Sequence, residues 1–178
     1  MITVLNGNPG VGKLTIGRAL ASMISGRLLD IHTVYNVAFA LTEFKSPDFI
    51  ETVEKIEKIS HDLILKLPVE IPVVLTTVLA GDSEWGHAEW RRIVQLGDAR
   101  GPFCVVHVLC DLEENIRRIQ SSERDEKRKP RNADYARRNH AAAKVLAGID
   151  ASNLLKLDVT GRSATDAARA IADWTQGI

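Results

Sequence analysis

The sequence predicts an α/β protein, a five-stranded parallel sheet with helices on both faces. Short apolar runs rich in β-branched residues recur five times, and amphipathic stretches lie between them, which is strand and helix alternation. Strands bounded in this way by helices are buried on both faces, the signature of a parallel sheet with crossover helices. The 178 residues suit one such unit.

The first strand is Ile2–Leu5, followed by the glycine-rich segment GNPGVGKLT from Gly7 to Thr15 and the helix-like TIGRALASMI. A second strand, Arg27–Leu29, ends at Asp30, and a short helix of roughly Val34 to Leu41 fills the gap before Ser46. From Ser46 to Leu67, Pro47 takes a first-turn position, and Phe49, Ile50, Val53, Ile56, Ile59, Leu63, Ile64 and Leu67 recur at helical spacing. The remaining strands are Val73–Leu79, Phe103–Leu109 and Leu154–Val159. Helices begin near Ser83, Asp111, Asn132 and Ser163, each able to accept hydrogen bonds from the first free N–H groups of a helix. The segment SSERDEKRKPRN, Ser121–Asn132, is too charged for a core and reads as a mobile, exposed loop.

Composition narrows the function. With 45% hydrophobic and 26% charged residues the chain is globular, not disordered or collagen-like. Lys plus Arg and Asp plus Glu both total 23, so no broad electrostatic grip on nucleic acid or an anionic membrane is expected. The opening residues MITVLNGNPG have neither the charged region nor the apolar core of a secretory signal, no stretch has the length of a membrane span, and a cytoplasmic location is expected. Cys104 and Cys110 share one predicted strand, where six residues separate them by about 20 Å, beyond disulfide reach, so both read as buried thiols.

The segment Gly7–Thr15 has the G-x-x-x-x-G-K skeleton of a phosphate-binding loop, after a strand and before a helix, where the chemistry requires it. Glycines permit the loop conformation, the backbone N–H groups of Gly10, Val11, Gly12, Lys13 and Leu14 converge on a phosphate, and the helix presents its positive end. Lys13 would reach the β and γ phosphates. Leu14 stands where most such loops place the hydroxyl that ligates Mg²⁺, and Thr15 comes one place late, which disfavours GTPases and motor-type ATPases. No guanine-reading NKxD motif occurs.

The spacing Pro9-Gly10-x-Gly12-Lys13-x-Thr15 resembles the loops of nucleoside monophosphate kinases, which read G-x-P-G-x-G-K-G-T. In that family the threonine contacts nucleotide phosphate, and the metal is held largely through water and the nucleotide. The resemblance implies ATP and Mg²⁺, a nucleotide site formed by Gly7, Asn8, Pro9, Gly10, Val11, Gly12, Lys13, Leu14 and Thr15, and a water-mediated metal shell at Thr15 and Asp30. The wider layout is similar to the small P-loop kinase superfamily of adenylate, shikimate and gluconate kinases and chloramphenicol phosphotransferase. It implies the P-loop containing nucleoside triphosphate hydrolase fold with strand order 2-3-1-4-5. It also implies one domain over 1–178, an acceptor-binding insertion at about 31–68 and an arginine-rich lid at about 118–134. The segment LDVTGRSATDAARAI resembles the strand, turn and helix that close these kinases beside the base.

The Asp-Gly-Tyr/Phe-Pro-Arg motif of nucleoside monophosphate kinases is absent, and LTTVLAGDSEW stands in its place. That departure shifts the expected acceptor from a nucleotide to another small molecule. Shikimate-kinase-like enzymes carry an acid just after the second strand, which implies that Asp30 orients the acceptor hydroxyl. The carboxyl edge of a parallel sheet is where such a residue faces the ligand crevice. His32, Thr33 and Asn36 follow it, and His32 and Asn36 are the acceptor-lining candidates, with Arg138 reaching phosphate from beyond the lid. Asp82 is a competing metal acid that reads as a helix-start residue, and one of Thr76 and Thr77 would face the metal's water shell. In the lid, Arg124 is the candidate to close over the transferred phosphoryl group, and Arg118 is expected near the adenine, as lid-base arginines stack in similar kinases. Trp85, Trp90 and Trp174 read as packing residues.

The expected activity is ATP-dependent transfer of the γ-phosphate to a hydroxyl of a small metabolite or antibiotic-like acceptor, by a monomer or homodimer, with Lys13, Asp30 and Arg124 as the catalytic set. A nucleotide or polynucleotide kinase and a non-catalytic ATP-binding module are the alternatives.

Overall fold

The structure is a computed structural model that describes residues 1–80, 83–121, 132–142 and 145–178. Five strands, β1 (Ile2–Asn6), β2 (Arg27–Asp30), β3 (Val73–Thr77), β4 (Phe103–Leu109) and β5 (Leu154–Asp158), form one parallel sheet of order β2-β3-β1-β4-β5. The helices are α1 (Lys13–Met23), α2 (Ile31–Leu41), α3 (Pro47–Lys66), α4 (Glu84–Ala99), α5 (Leu112–Ile119), α6 (Ala133–Ala141) and α7 (Ala164–Thr175). The strand order is the expected one.

Both faces of the sheet are dry. Leu5, Val74, Val106, Val108 and Leu157 pack with Ile16 and Leu20 of α1 and Ala168 and Ile171 of α7. On the other face Ile2, Val4, Val73 and Leu75 meet Ile64 of α3 and Ile93 and Leu96 of α4. Alternate residues of β1 and β3 thus enter opposite cores, as the pleat requires. Cys104 and Cys110 are buried free thiols.

Each anticipated helix start is capped as its residue type allows: Ser46, Ser83, Asp111, Asn132 and Ser163 accept from the backbone N–H of Phe49, Gly86, Glu114, Asp134 and Asp166. Helix α2 starts at Ile31, directly off β2, earlier than its apolar pattern indicates. β3 ends at Thr77, two residues early, because Leu79 and Ala80 leave the ladder to meet Ala147 and Leu146. In α3 the buried line is Phe49, Val53, Glu57 and Ile64, whereas Ile59 and Leu63 are exposed. An acid occupies the core stripe where hydrophobic residues were expected. No helix among the described residues is long and apolar enough to cross a membrane.

Candidate active site

The phosphate loop runs from Gly7 to Gly12 between β1 and α1. A Cβ on Gly7 would lie 2.3 Å from the carbonyl oxygen of Val108, so the loop can leave the sheet this close to β4 only with glycine there. Gly10 and Gly12 take φ of 95° and 101°, in the left-handed region that side chains disfavour. Helix α1 differs from the five capped helices: Gly12 offers no side chain, and no acid stands in its first turn. Its leading N–H groups and the positive end of the helix therefore face the loop without an internal anion. Lys13, nearly buried, donates from Nζ to the carbonyls of Gly7 at 2.7 Å and Asn8 at 2.9 Å, which fixes its charge over the loop.

Three side chains hold this loop in place. Asn6 Oδ1 accepts from the N–H of Gly7 at 2.9 Å, while its Nδ2 donates to the carbonyls of Leu79 at 2.8 Å and Ala147 at 3.1 Å. His107 shares the Ala147 carbonyl, to which Nε2 donates at 2.9 Å because a carbonyl oxygen only accepts, and burial lowers its pKa. From α5, Asn115 donates to the Pro9 carbonyl at 3.1 Å, and Arg118 donates to Val11 at 2.7 Å and Val159 at 2.8 Å. Glu114 receives both Arg117 and Arg118 and is held ionised, its pKa lowered to about 2 chiefly by the Arg117 hydrogen bonds. Arg118 thereby links the loop to the turn after β5.

Asp30 ends β2 opposite Thr76 of β3, and the Thr76 hydroxyl donates to its carboxylate. Asn6 lies beside Thr77 in the same register, so Asp30 and the start of the loop stand two strands, about 10 Å, apart on one sheet edge. His32 and Asn36 lie on α2 just beyond Asp30, with Asn36 exposed. Thr15 is exposed in the first turn of α1, and Arg138 is exposed on α6. Arg124 and Asp82 lie outside the described residues. Thr77, like Thr3 of β1, carries a buried hydroxyl with no hydrogen-bond partner, and Thr77 is the one of the two at the sheet edge beside the loop.

Beneath Asp30 the structure gathers acids that the sequence reading left unassigned. Glu57 of α3 and Glu89 of α4 are both 4% exposed. Burial drives the Glu57 pKa up to about 7 and the Glu89 pKa upward, although Arg92 works against both shifts. Tyr35 of α2 donates to Glu89 and accepts from the Trp85 indole at 3.3 Å, so Trp85 has a polar role besides packing. The detectable signal lay in the periodicity, since Glu57 and Glu89 interrupt the stripes 49-53-57-64 and 86-89-93-96.

No group of three or more His, Cys, Asp or Glu among the described residues is arranged to hold a metal. Asp30, which accepts from Thr76, and the exposed Thr15 hydroxyl are oxygen donors of the kind that a hydrated Mg²⁺ takes.

A family model described as AAA domain matches residues 4–140. No curated protein matches the chain. Shikimate kinase from Acinetobacter baumannii, solved with shikimate, has a TM-score of 0.62 at 16% identity, over 99% of this chain and 93% of that one. A gluconokinase from Sinorhizobium meliloti has a TM-score of 0.60 at 12% identity, over 98% and 91% of the two chains. APS kinase from Mycobacterium tuberculosis, solved with AMPPNP and APS, has a TM-score of 0.58 at 19% identity, over 98% and 96%. Since the family match takes in the end of β1, the whole phosphate loop and β2, β3 and β4, the chain belongs to the AAA domain family and has the fold of the small P-loop kinase superfamily.

Proposed function

We propose that the protein is an ATP-dependent kinase that transfers the γ-phosphate to a hydroxyl of a small-molecule acceptor. The observation that carries this reading is the placement of an uncapped helix N-terminus with Lys13 and of the Asp30 carboxylate on one sheet edge, about 10 Å apart by strand spacing. That separation leaves room for the γ-phosphate and an acceptor hydroxyl between them. The kinase neighbours share this fold, and their shikimate, gluconate and APS chemistry supports phosphoryl transfer as the reaction class.

In this mechanism the loop amides and Lys13 bind the β and γ phosphates and offset the charge that spreads over the transferred group. Asp30, oriented by the Thr76 hydroxyl, takes the acceptor proton as the acceptor oxygen bonds to the γ-phosphorus and the bond to the β-bridging oxygen breaks, which releases ADP. Thr15 and Asp30 would hold Mg²⁺ through water, and the metal when bound supplies further neutralisation of the phosphate oxygens. Residues 31–68 serve as the acceptor-binding insertion, with His32 and Asn36 at its mouth, and 118–134 as the lid. Arg124 closes over the phosphoryl group, Arg138 approaches from α6, and Arg118 supports the base side of the nucleotide site.

The test is ADP release measured across sugar acids, shikimate-like acids, nucleosides and aminoglycoside or phenicol compounds. An acceptor-dependent rate that falls by about 10²–10³ in Lys13→Ala is expected. Full activity in Lys13→Ala overturns the mechanism, and stimulation only by nucleoside monophosphates or 5′-hydroxyl ends reassigns the protein as a nucleotide or polynucleotide kinase.

A further inference from the structure

A small cavity opens below the sheet edge between α2, α3, α4 and β3. Its volume is about 30 Å³, and Tyr35, Glu57, His61, Thr76, Thr77 and Glu89 supply its polar lining. A cavity of that size admits one or two water-sized groups. The Thr77 hydroxyl lines it, is 2% exposed and has no hydrogen-bond partner, so a buried acceptor and donor is left for whatever occupies the space.

The charges around the cavity do not balance. Glu57 and His61 face it from α3 and Glu89 from α4, Tyr35 faces it from α2, and Thr76 connects it to Asp30 of β2. The guanidinium of Arg92 stands behind Glu57, donating from Nε to Glu57 at 2.7 Å, and its Nη1 is shared with Glu54 at 3.4 Å. His61 Nε2 lies 3.9 Å from Glu57, and burial first and Arg92 second lower its pKa, which disfavours its charged form. Tyr35 gives Glu89 a hydrogen bond but no charge. One fixed cation thus faces three carboxylates, two of them buried. A buried carboxylate without a countercharge must either take a proton or gain a cation.

We propose that this cavity is the inner end of the acceptor pocket and takes the protonated amine of a hydroxylated amine, an amino alcohol or amino sugar, with Glu89 as the residue that specifies it. A primary ammonium is water-sized, donates three hydrogen bonds, and finds acceptors in Glu89, Glu57 and Thr77. The acceptor's hydroxyl then lies toward Asp30, which Thr76 joins to the cavity wall. A carboxylate or phosphate in the same place would face like charges, so the pocket selects against sugar acids. This inference rests on the kinase reading above.

The experiment measures binding to the intact protein by calorimetry with ADP and Mg²⁺ present, and phosphoryl transfer by ADP release. The probes are matched sets: ethanolamine, ethylene glycol and glycolate; glucosamine, glucose and gluconate; serinol, glycerol and glycerate. In at least one set the amine should bind tenfold or more tightly than its neutral and anionic counterparts. Glu89→Gln, which keeps an acceptor for Tyr35, should abolish that preference, and Glu51→Gln, an exposed acid paired with Lys55, should keep it. A second readout needs no variant: ethanolamine binding to the wild type should tighten from pH 6 to pH 8, as the cavity carboxylates lose their protons while the amine keeps its own. Equal or tighter binding of a neutral or anionic member in every set, no binding by any amine, a preference that survives Glu89→Gln, or a flat pH dependence overturns the proposal. Lys13-dependent transfer to a sugar acid would do so while leaving the kinase reading intact. An amine that binds through Glu89 but is never phosphorylated removes the kinase reading and keeps the site.

Discussion

Arg118 donates from Nη1 to the carbonyl of Val11 at 2.7 Å, so the phosphate loop is held by helix α5 as well as by its own glycines. The same guanidinium donates from Nη2 to the carbonyl of Val159 and from Nε to Glu114, so all three of its nitrogens are engaged. Arg118→Lys can restore at most part of this set, because an ammonium lacks the fork geometry. Urea denaturation should show a loss of about 2–4 kcal/mol, the range for one or two hydrogen bonds from a charged donor. The KM for ATP should rise about tenfold as Val11 loses its anchor, a shift of ~1.4 kcal/mol. An unchanged KM with lower stability would mean that the clamp serves the fold alone.

Asp30 and Thr76 form a polar pair at the ends of β2 and β3, and variants of the two test binding apart from chemistry. Asp30→Asn keeps an acceptor for the Thr76 hydroxyl but removes the carboxylate proposed as the base. It should lower kcat by about 10²–10⁴, typical of a lost general base, while ATP binding through the loop and Lys13 stays within about twofold. Thr76→Val leaves the carboxylate but not its orientation, and should cost about tenfold in kcat. Steady-state kinetics in both substrates distinguish the two outcomes from a general loss of fold.

The sheet and the loop were readable in the sequence because both are local. Five apolar runs and a strand-to-helix glycine pattern need no tertiary information, and caps such as Ser83 and Asp111 announce their helices one residue ahead. The acids behind the site were not read because Glu57 and Glu89 become neighbours only when α3 and α4 pack, and each alone looks like one more charge on an amphipathic helix. Ile59 and Leu63 misled in the same way: at helical spacing they extend the apolar face, yet the line through Phe49, Val53 and Glu57 is the one that turns inward. Asn6 and His107 escaped notice as well, since their shared contact, the Ala147 carbonyl, lies on a distant segment.

The pH dependence of stability should carry the mark of Glu57. Its folded pKa of about 7 lies above the ordinary carboxylate value, so between about pH 4.5 and 7 the folded state binds more protons than the unfolded chain. Stability from this group is therefore full at low pH and is lost as pH rises through 7. His61 and His107, whose pKa values are lowered, act in the opposite sense, losing stability as pH falls below about 6.5, so the total profile does not isolate Glu57. Glu57→Gln does: it keeps an acceptor for Arg92 and does not ionise. The Tm of Glu57→Gln relative to wild type should rise steadily from pH 5 to pH 8. A difference that is constant with pH would place the Glu57 pKa back in the ordinary range.

Two glycines with positive φ separate backbone strain from close approach. At Gly161 φ is 66° and no atom lies within 4 Å of a built Cβ, so Gly161→Ala should cost about 1 kcal/mol, the strain of a left-handed alanine, and leave ATP binding unchanged. At Gly10 φ is 95°, and a Cβ would lie 2.5 Å from Cγ1 of Ile119 and 2.7 Å from Nδ2 of Asn115. Ile119 is fully buried and Asn115 donates to Pro9, so neither can withdraw without moving α5 or the loop. Gly10→Ala should therefore add an overpacking cost of about 1–3 kcal/mol to the same backbone strain. It should also weaken ATP binding at least tenfold, because α5 carries Arg118 and hence the anchor of Val11. Parallel urea melts and ATP titrations of the two variants read the difference directly, and equal effects in both would show that α5 yields to the added methyl without disturbing the loop.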